Sequence, residues 1–232
     1  MSVPCAHVCL PAIPGGLCFA RTPAAGTIAR MAQQLMYIHG GEAYSDYTQF
    51  LHHLRTGEIR DPHGVGSVRW SSTLREDLGD GFEVFTPAMP NKQNAQYSEW
   101  QIWFDRHCEF LEDGVFLLGW SLGGYFLVKY LLENPPPVAI ARLYLLAAPF
   151  APDDFGGEDG GDFAFDTSRV GELAQAVDRI ILMHSEDDFV VPYNHLERYH
   201  AALPDAETHT FADRNHFLQP EFPELLSHLR AR

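Results

Sequence analysis

A serine lies between two glycines at the point where one apolar run of the chain ends and another begins. The stretch is FLLGWSLGG, residues 116–124, with Ser121 at its centre. A sharp turn from a buried strand into a helix strains the backbone at the serine, and flanking glycines avoid collisions with neighbouring backbone. Such a turn exposes the hydroxyl and sets the amide of Leu122 at a helix N-terminus, where it can donate to a developing oxyanion. The pattern predicts a nucleophilic serine, although GxSxG by itself also fits an ordinary Gly-rich turn.

A serine hydroxyl needs a base to become a good nucleophile, and the base needs an acid to orient it. His216 follows a predicted strand in the loop DRNHFLQP and is the candidate base, because most other histidines fall on predicted helices or loops away from strand ends. His184 lies inside a predicted strand and is expected to be buried structure. The loop SEDDFVVP offers the acid. Asp188 is preferred for its spacing from the proline that closes the loop, and Asp187 is the alternative, which the sequence separates only weakly.

These residues stand at the ends of predicted strands, and the elements between them define the fold. Apolar strands alternate with helices from residue 34 onward, in the segments QLMYI, FEVF, GVFLLGW, ARLYLLAAP, RIILMHS and THTFA. Strands that are apolar throughout and separated by helices imply a parallel sheet covered on both faces. Catalytic groups of such sheets gather at the carboxyl ends of the strands. We predict a doubly wound α/β domain over residues 31–232, with a mainly parallel sheet of about six strands.

Three segments between the strands carry expectations of their own. Residues 44–54 have the apolar spacing of an amphipathic helix, and NAQYSEWQIWFDRHCEFL is expected to pack a helix against the sheet. Residues 152–166, PDDFGGEDGGDFAFD, are acidic and Gly-rich, with too little apolar content for a lid helix. They predict a solvated loop, with a mobile flap beside the site as the alternative.

The composition of the chain indicates which binding partners are disfavoured and which cellular compartment is expected. A formal net charge of −15 over 232 residues disfavours binding to a phosphate backbone. No apolar run reaches the ~20 residues that span a bilayer, so no membrane association is expected. The four cysteines have neither metal-ligand spacing nor the density of a disulfide framework, which is typical of a reducing cytoplasm. Residues 1–30 show no periodicity and predict a disordered extension, or a start codon upstream of Met31.

The ordered motifs HGG, GWSLGG, SEDDFVVP and RNHF resemble the α/β-hydrolase superfamily over essentially everything after residue 34. The short length, the minimal cap and the segment MPNKQNAQYSEW are similar to the small serine hydrolases related to retinoblastoma-binding protein nine. This resemblance implies Ser121 as nucleophile, Asp188 as acid and His216 as base. It also implies a second oxyanion donor at the amide of Gly41, unless the HGGEA loop presents Glu42 instead.

Two positions depart from that family. Trp120 precedes the serine where relatives often have histidine, and the first thirty residues have no counterpart. The residues together predict a serine hydrolase that acts without metal or cofactor on small carboxylic esters, or on amides, through an acyl-enzyme. The alternative is a hydrolase-fold protein that works by binding a protein partner. The sequence does not determine the oligomeric state or the acyl length of the substrate. Trp120 could line the acyl pocket or pack beneath the turn.

Overall fold

A computed structural model describes residues 32–59, 63, 68–152 and 159–231. The predicted N-terminal extension, residues 1–30, lies outside the described residues. The described residues belong to one compact unit, Ala32–Arg232. Within this described part, no helix combines the length and the apolar character that crossing a membrane requires.

Six parallel strands form a single sheet, as predicted from the apolar segments. They are β1 (Gln33–Ile38), β2 (Phe82–Phe85), β3 (Val115–Trp120), β4 (Ile140–Leu146), β5 (Val177–Ser185) and β6 (Glu207–Phe211). Their spatial order is β2-β1-β3-β4-β5-β6, and every neighbouring pair is parallel. The chain leaves β1 toward one edge and returns on its other side to build the rest of the sheet. A crevice opens at such a reversal, outside the carboxyl ends of β1 and β3.

Helices cover both faces of this sheet. They are α1 (Tyr47–Thr56), α2 (Trp70–Leu78), α3 (Tyr97–Cys108), α4 (Leu122–Glu133), α5 (Leu173–Ala176), α6 (Asn194–Ala202) and α7 (Pro223–Arg230). Alternate residues of β3 enter two separate apolar clusters, so the clusters lie on opposite faces. One cluster takes in side chains of α2 and α7, and the other takes in side chains of α3, α4, α5 and α6.

The structure corrects the expectations for two helices. The helix predicted over 44–54 begins only at Tyr47, because the Asp46 side chain caps it by accepting from the amide of Thr48, and none of its residues is buried. The helix α3 does pack against the sheet, but only through one face, whose buried residues recur every three or four positions: Tyr97, Trp100, Phe104 and Cys108. Ile102 is 64% exposed, because it lies on the opposite side of α3 from that buried face.

The acidic loop is also less solvated than its composition predicts. Its residues 153–158 lie outside the described part, but Phe163 is fully buried in the core cluster beside α3 and α4. The Asp162 carboxylate accepts from the amide of Tyr97 at 2.8 Å, and its carbonyl accepts from Lys129 Nζ at 2.7 Å. One aromatic side chain and a helix N-terminus therefore anchor the end of a segment whose average composition is polar.

Candidate active site

Ser121 lies in the turn from β3 to α4 with a backbone φ of 55° and ψ of −125°. A positive φ strains any residue that has a Cβ, and such strain persists only where the surroundings enforce it. A Cβ added at Gly119 would lie 2.5 Å from the Cα of Gly124, and one at Gly123 would overlap the carbonyl oxygen of Ile38. Both flanking glycines therefore allow the backbones of α4, β1 and β3 to approach closely enough to hold the turn.

Asp188 and His216 form a buried hydrogen-bonded pair, with His216 Nδ1 2.8 Å from Asp188 Oδ2. The other carboxylate oxygen accepts from the amides of Val190 at 2.8 Å and Val191 at 2.9 Å. Burial opposes ionisation of Asp188, but hydrogen bonds from His184 and His216 outweigh it and hold the carboxyl pKa well below its usual range. A carboxylate only accepts, so Nδ1 of His216 carries the proton and Nε2 of the neutral ring can accept one.

The structure separates the two candidate acids by where their side chains point. Asp187 Oδ1 accepts from the Ser185 hydroxyl at 2.5 Å and from the amide of Asn215 at 2.8 Å. It therefore ties the end of β5 to the loop that carries His216 and makes no hydrogen bond to the imidazole itself. Of the two neighbouring carboxylates, Asp188 is the one that contacts His216.

His184, expected to be buried structure alone, is a neighbour of the same carboxylate. It is buried, and its Nε2 lies 2.8 Å from the carbonyl oxygen of Val191 and 3.4 Å from Asp188 Oδ2. Because a carbonyl only accepts, Nε2 is the protonated nitrogen and donates toward both oxygens. The signal in the sequence was its position one residue before the end of β5, directly ahead of the acidic loop.

The loop after β1 passes over the serine at Gly40, and the backbone amides of Gly41 and Glu42 are engaged differently in it. A Cβ added at Gly40 would lie 3.1 Å from the Cβ of Ser121, so this loop passes directly over the nucleophile candidate. The amide of Glu42 donates to the carbonyl of Lys92 at 2.8 Å and is not available to an oxyanion. Within the described chain, the amides of Gly41 and Leu122 have no such backbone partner.

His39 fixes the orientation of that loop. Its Nε2 accepts from the amide of Met89 at 2.9 Å, so Nδ1 carries the proton and donates to the carbonyl of Gly40 at 2.6 Å. Burial, with a smaller contribution from the Lys92 charge, lowers the pKa of His39, which favours this neutral form. The Gly40 carbonyl and the Gly41 N–H belong to one planar trans peptide and point in opposite directions. The imidazole therefore sets the direction of the Gly41 amide.

Trp120 packs beneath the histidine and also lines the cavity. Its Nε1 donates to the carbonyl of His216 at 3.1 Å, and the two ring centroids are 5.5 Å apart. The guanidinium carbon of Arg69 lies 5.3 Å from the centre of the indole. The cavity has a volume of about 610 Å³, and its walls include Gly41, Ser121 and His216 together with these groups. Ser121, His216 and Gly41 thus line one cavity.

Among the described residues, one group offers three convergent metal-ligand atoms, and it lies away from this cavity. Glu207 Oε1 is 2.9 Å from Nε2 of both His209 and His228, a ligand set also found in zinc enzymes. Arg179 holds the second oxygen of Glu207 at 2.8 Å, and the Tyr144 hydroxyl lies 3.2 Å from Nδ1 of His228. Hydrogen bonds and an ion pair therefore account for the cluster without an ion.

Comparison with known proteins shows the fold. No family model and no curated protein sequence matches the chain. The ydeN gene product from Bacillus subtilis has a similar structure, with a TM-score of 0.64, 18% identity, and coverage of 85% of this chain and 97% of that one. An esterase, RhEst1, from a Rhodococcus species has a TM-score of 0.53 and 16% identity, covering 86% and 89%. The carboxylesterase CesB from Bacillus subtilis has a TM-score of 0.53 and 13% identity, covering 86% and 82%.

The chain therefore has the α/β-hydrolase fold, as the ordered motifs predicted. At these identities the likeness concerns the fold, and function has to be argued from the site.

Proposed function

We propose that the protein is a serine hydrolase that cleaves carboxylic esters of small molecules through an acyl-enzyme. The observation that carries the proposal is the buried Asp188–His216 pair, 2.8 Å apart, whose histidine lines the same cavity as Ser121. A structural ion pair would have no need to leave the second imidazole nitrogen free. Among the described residues, Nε2 of His216 has no hydrogen-bond partner, which suits a base that takes a proton from the reacting serine.

In the proposed reaction, Ser121 Oγ attacks the ester carbonyl while His216 Nε2 accepts the hydroxyl proton. Asp188 keeps the imidazole in the required tautomer and stabilises its charged form. The amides of Leu122 and Gly41 donate to the oxygen that becomes negative. The imidazolium then protonates the departing alcohol, and the same base activates water to hydrolyse the acyl-enzyme. Every proton taken in one step is returned in the next, and the residues need no cofactor for this chemistry.

Esters are proposed rather than amides because two of the similar structures are named esterases. The rival role, partner binding on a hydrolase scaffold, has no observation in its favour. It would not require a strained Ser121 and a histidine paired with a buried carboxylate to line one cavity.

Hydrolysis of p-nitrophenyl acetate by Ser121→Ala tests the proposal. We expect a loss of about 10³-fold or more in kcat/KM, with an unchanged melting temperature, because the nucleophile is removed and the fold is not. Ser227→Ala, an exposed serine on α7, is the matched control and should retain full activity. Equal activity of Ser121→Ala and Ser227→Ala would overturn the assignment.

A further inference from the structure

The α2 side of the cavity carries a positive charge that no acid in the described chain neutralises. Arg69 directly precedes α2, is half-buried and lines the cavity together with Ser121. Its guanidinium rests on the Trp120 indole, and none of the ion pairs among the described residues includes it. In a protein with a net charge of −15, a half-buried cation without a counter-charge marks a place where a ligand can supply one.

A second group in the same wall has an unsatisfied hydrogen-bonding atom. Tyr37 is 5% exposed, its hydroxyl is buried, and it has no hydrogen-bond partner of normal geometry in the described chain. Burial raises the pKa of Tyr37, while the nearby Ser71 hydroxyl and the Arg69 charge act in the opposite direction. The phenol thus stays protonated as a donor, with Ser71 and Arg69 beside it. Buried polar groups without partners are rare, and this one lines the cavity that holds the nucleophile.

The start of α2 adds donors on the same side and fixes their position. Trp70 donates its indole N–H to the carbonyl of Phe217 at 2.9 Å and its amide to the carbonyl of Gln219 at 3.1 Å. These bonds fasten the first turn of α2 to the loop that carries His216. Ser71 lies in that turn, and no side chain caps the N-terminus of α2 by a hydrogen bond. A helix N-terminus carries partial positive charge and free N–H groups, which favours an anion.

Every polar group on this side of the cavity is a donor or can act as one, and one is a permanent cation. A guanidinium presents N–H groups in a fork that matches the two oxygens of a carboxylate, and the two hydroxyls can complete its hydrogen bonds. The one acidic side chain of the cavity wall, Glu42, lies on the Gly41 side and pairs with His53 at 3.5 Å. It therefore does not neutralise Arg69.

We propose that Arg69, Tyr37 and Ser71 form a carboxylate-binding subsite and that the ester substrate carries a free carboxylate. The inference rests on the proposed hydrolase function, because it names the substrate class of the same cavity. Trp120 links the two halves of the site, since its ring contacts both the guanidinium and the His216 imidazole. A carboxylate held on the indole by Arg69 places the rest of the molecule toward Ser121.

Matched ester pairs test the subsite. Monomethyl adipate and methyl heptanoate differ in a carboxylate on the acyl side, and 4-acetoxybutanoate and pentyl acetate differ in one on the alcohol side. With hydrolysis followed by pH-stat, we expect the wild-type protein to prefer the charged member of at least one pair by about 10- to 100-fold in kcat/KM. Arg69→Met and Tyr37→Phe should each reduce that preference by about tenfold or more. Arg75→Met, on the same helix but outside the cavity, should leave it unchanged.

The outcomes separate the subsite from the hydrolase function. Ser121-dependent hydrolysis without preference for either charged ester, or with a preference that Arg69→Met leaves intact, would overturn the subsite and keep the function. If no ester is hydrolysed, calorimetry with adipate on Ser121→Ala decides the subsite by itself. Binding that is lost in Ser121→Ala/Arg69→Met supports it, and absent or unaltered binding refutes it. Thermal melting of Tyr37→Phe should show no loss of stability, because the deleted hydroxyl has no partner to lose.

Discussion

Among the described residues, Asp188 and Glu207 each lie beside two histidine rings, and a histidine of the Asp188 pair lines the proposed catalytic cavity. One oxygen of Asp188 has histidine nitrogens 2.8 Å and 3.4 Å away, and one oxygen of Glu207 has two at 2.9 Å. The side-chain types are almost the same. The Asp188 group follows the carboxyl end of β5, whereas Glu207 is the first residue of the edge strand β6.

The difference lies in burial and in which nitrogens are used. The Asp188 side chain has no exposed surface, while that of Glu207 is 39% exposed and also binds Arg179. Both histidines of the Glu207 cluster direct Nε2 at the carboxylate, so these nitrogens are occupied by hydrogen bonds within the cluster. His216 instead directs Nδ1 at Asp188, and Nε2 of this cavity-lining ring has no hydrogen-bond partner among the described residues. The same types of side chain thus form the proposed catalytic pair or an exposed structural cluster, depending on which imidazole nitrogen has no partner.

The largest expected effect comes from converting each carboxylate to its amide. Asp188→Asn should lower kcat by roughly 10³- to 10⁴-fold, because the amide no longer holds the imidazole in the required tautomer. Glu207→Gln makes the same change in the other cluster and should leave kcat unchanged. Steady-state hydrolysis of p-nitrophenyl acetate measures both. A similar loss of activity in the two variants would break the distinction between the clusters.

A smaller effect is expected at the second histidine of the Asp188 cluster. His184→Leu should lower kcat by about tenfold, because Asp188 and the Val191 carbonyl each lose a donor and the loop that carries the acid shifts. His184→Gln can still donate from a similar position and should recover most of the activity. Equal activities in these two variants at matched melting temperatures would show that His184 acts by packing alone.

The smallest effect concerns stability. A hydrogen bond from His228, supported by His209 and Arg179, lowers the pKa of Glu207 from 4.5 to about 2 against its partial burial. Its stabilisation is therefore present above pH 4.5 and lost as the pH falls toward 2. At neutral pH, Glu207→Gln should reduce the unfolding free energy by about 1 kcal/mol, since solvent screens half-exposed groups.

Urea denaturation across this pH range measures the effect, with Glu76→Gln on the exposed side of α2 as the control. The stability difference between Glu207→Gln and the wild-type protein should shrink as the solution becomes more acidic. A difference that grows instead would have the wrong sign for a carboxyl group whose pKa is lowered by folding.

Most of the sheet was predictable because strands such as β1 and β3 are apolar runs closely followed by glycine, although β2 and β6 include polar residues. Ser121 and His216 could be proposed from the same pattern, since both positions follow predicted strand ends. The choice between Asp187 and Asp188 was not, because adjacent residues point to different sides and only the folded loop shows which one meets His216. The sequence also does not show that the Lys92 carbonyl accepts from the Glu42 amide, because that contact exists only in the folded loop.

Other features depend on elements that are distant in sequence. Arg69, Tyr37 and Trp120 come from a helix start and two strands, and nothing in their local sequence indicates that they share a cavity wall. The acidic loop was predicted from its average composition, which does not reveal that Phe163 is buried. The local sequence pattern therefore predicts the strands and helices and where they end. Which side chains from different strands and helices come together can be learned only from the folded structure.

Covalent labelling by a fluorophosphonate probe tests the central claim most directly, because it requires an activated serine and no knowledge of the substrate. Cleavage after Arg106 and Lys129 yields a peptide, residues 107–129, in which Ser121 is the only serine. We predict that mass spectrometry of the labelled, folded protein finds the adduct in this peptide and that Asp188→Asn forms it far more slowly. A folded protein that takes no adduct there at saturating probe, or takes it on another serine, would contradict the account.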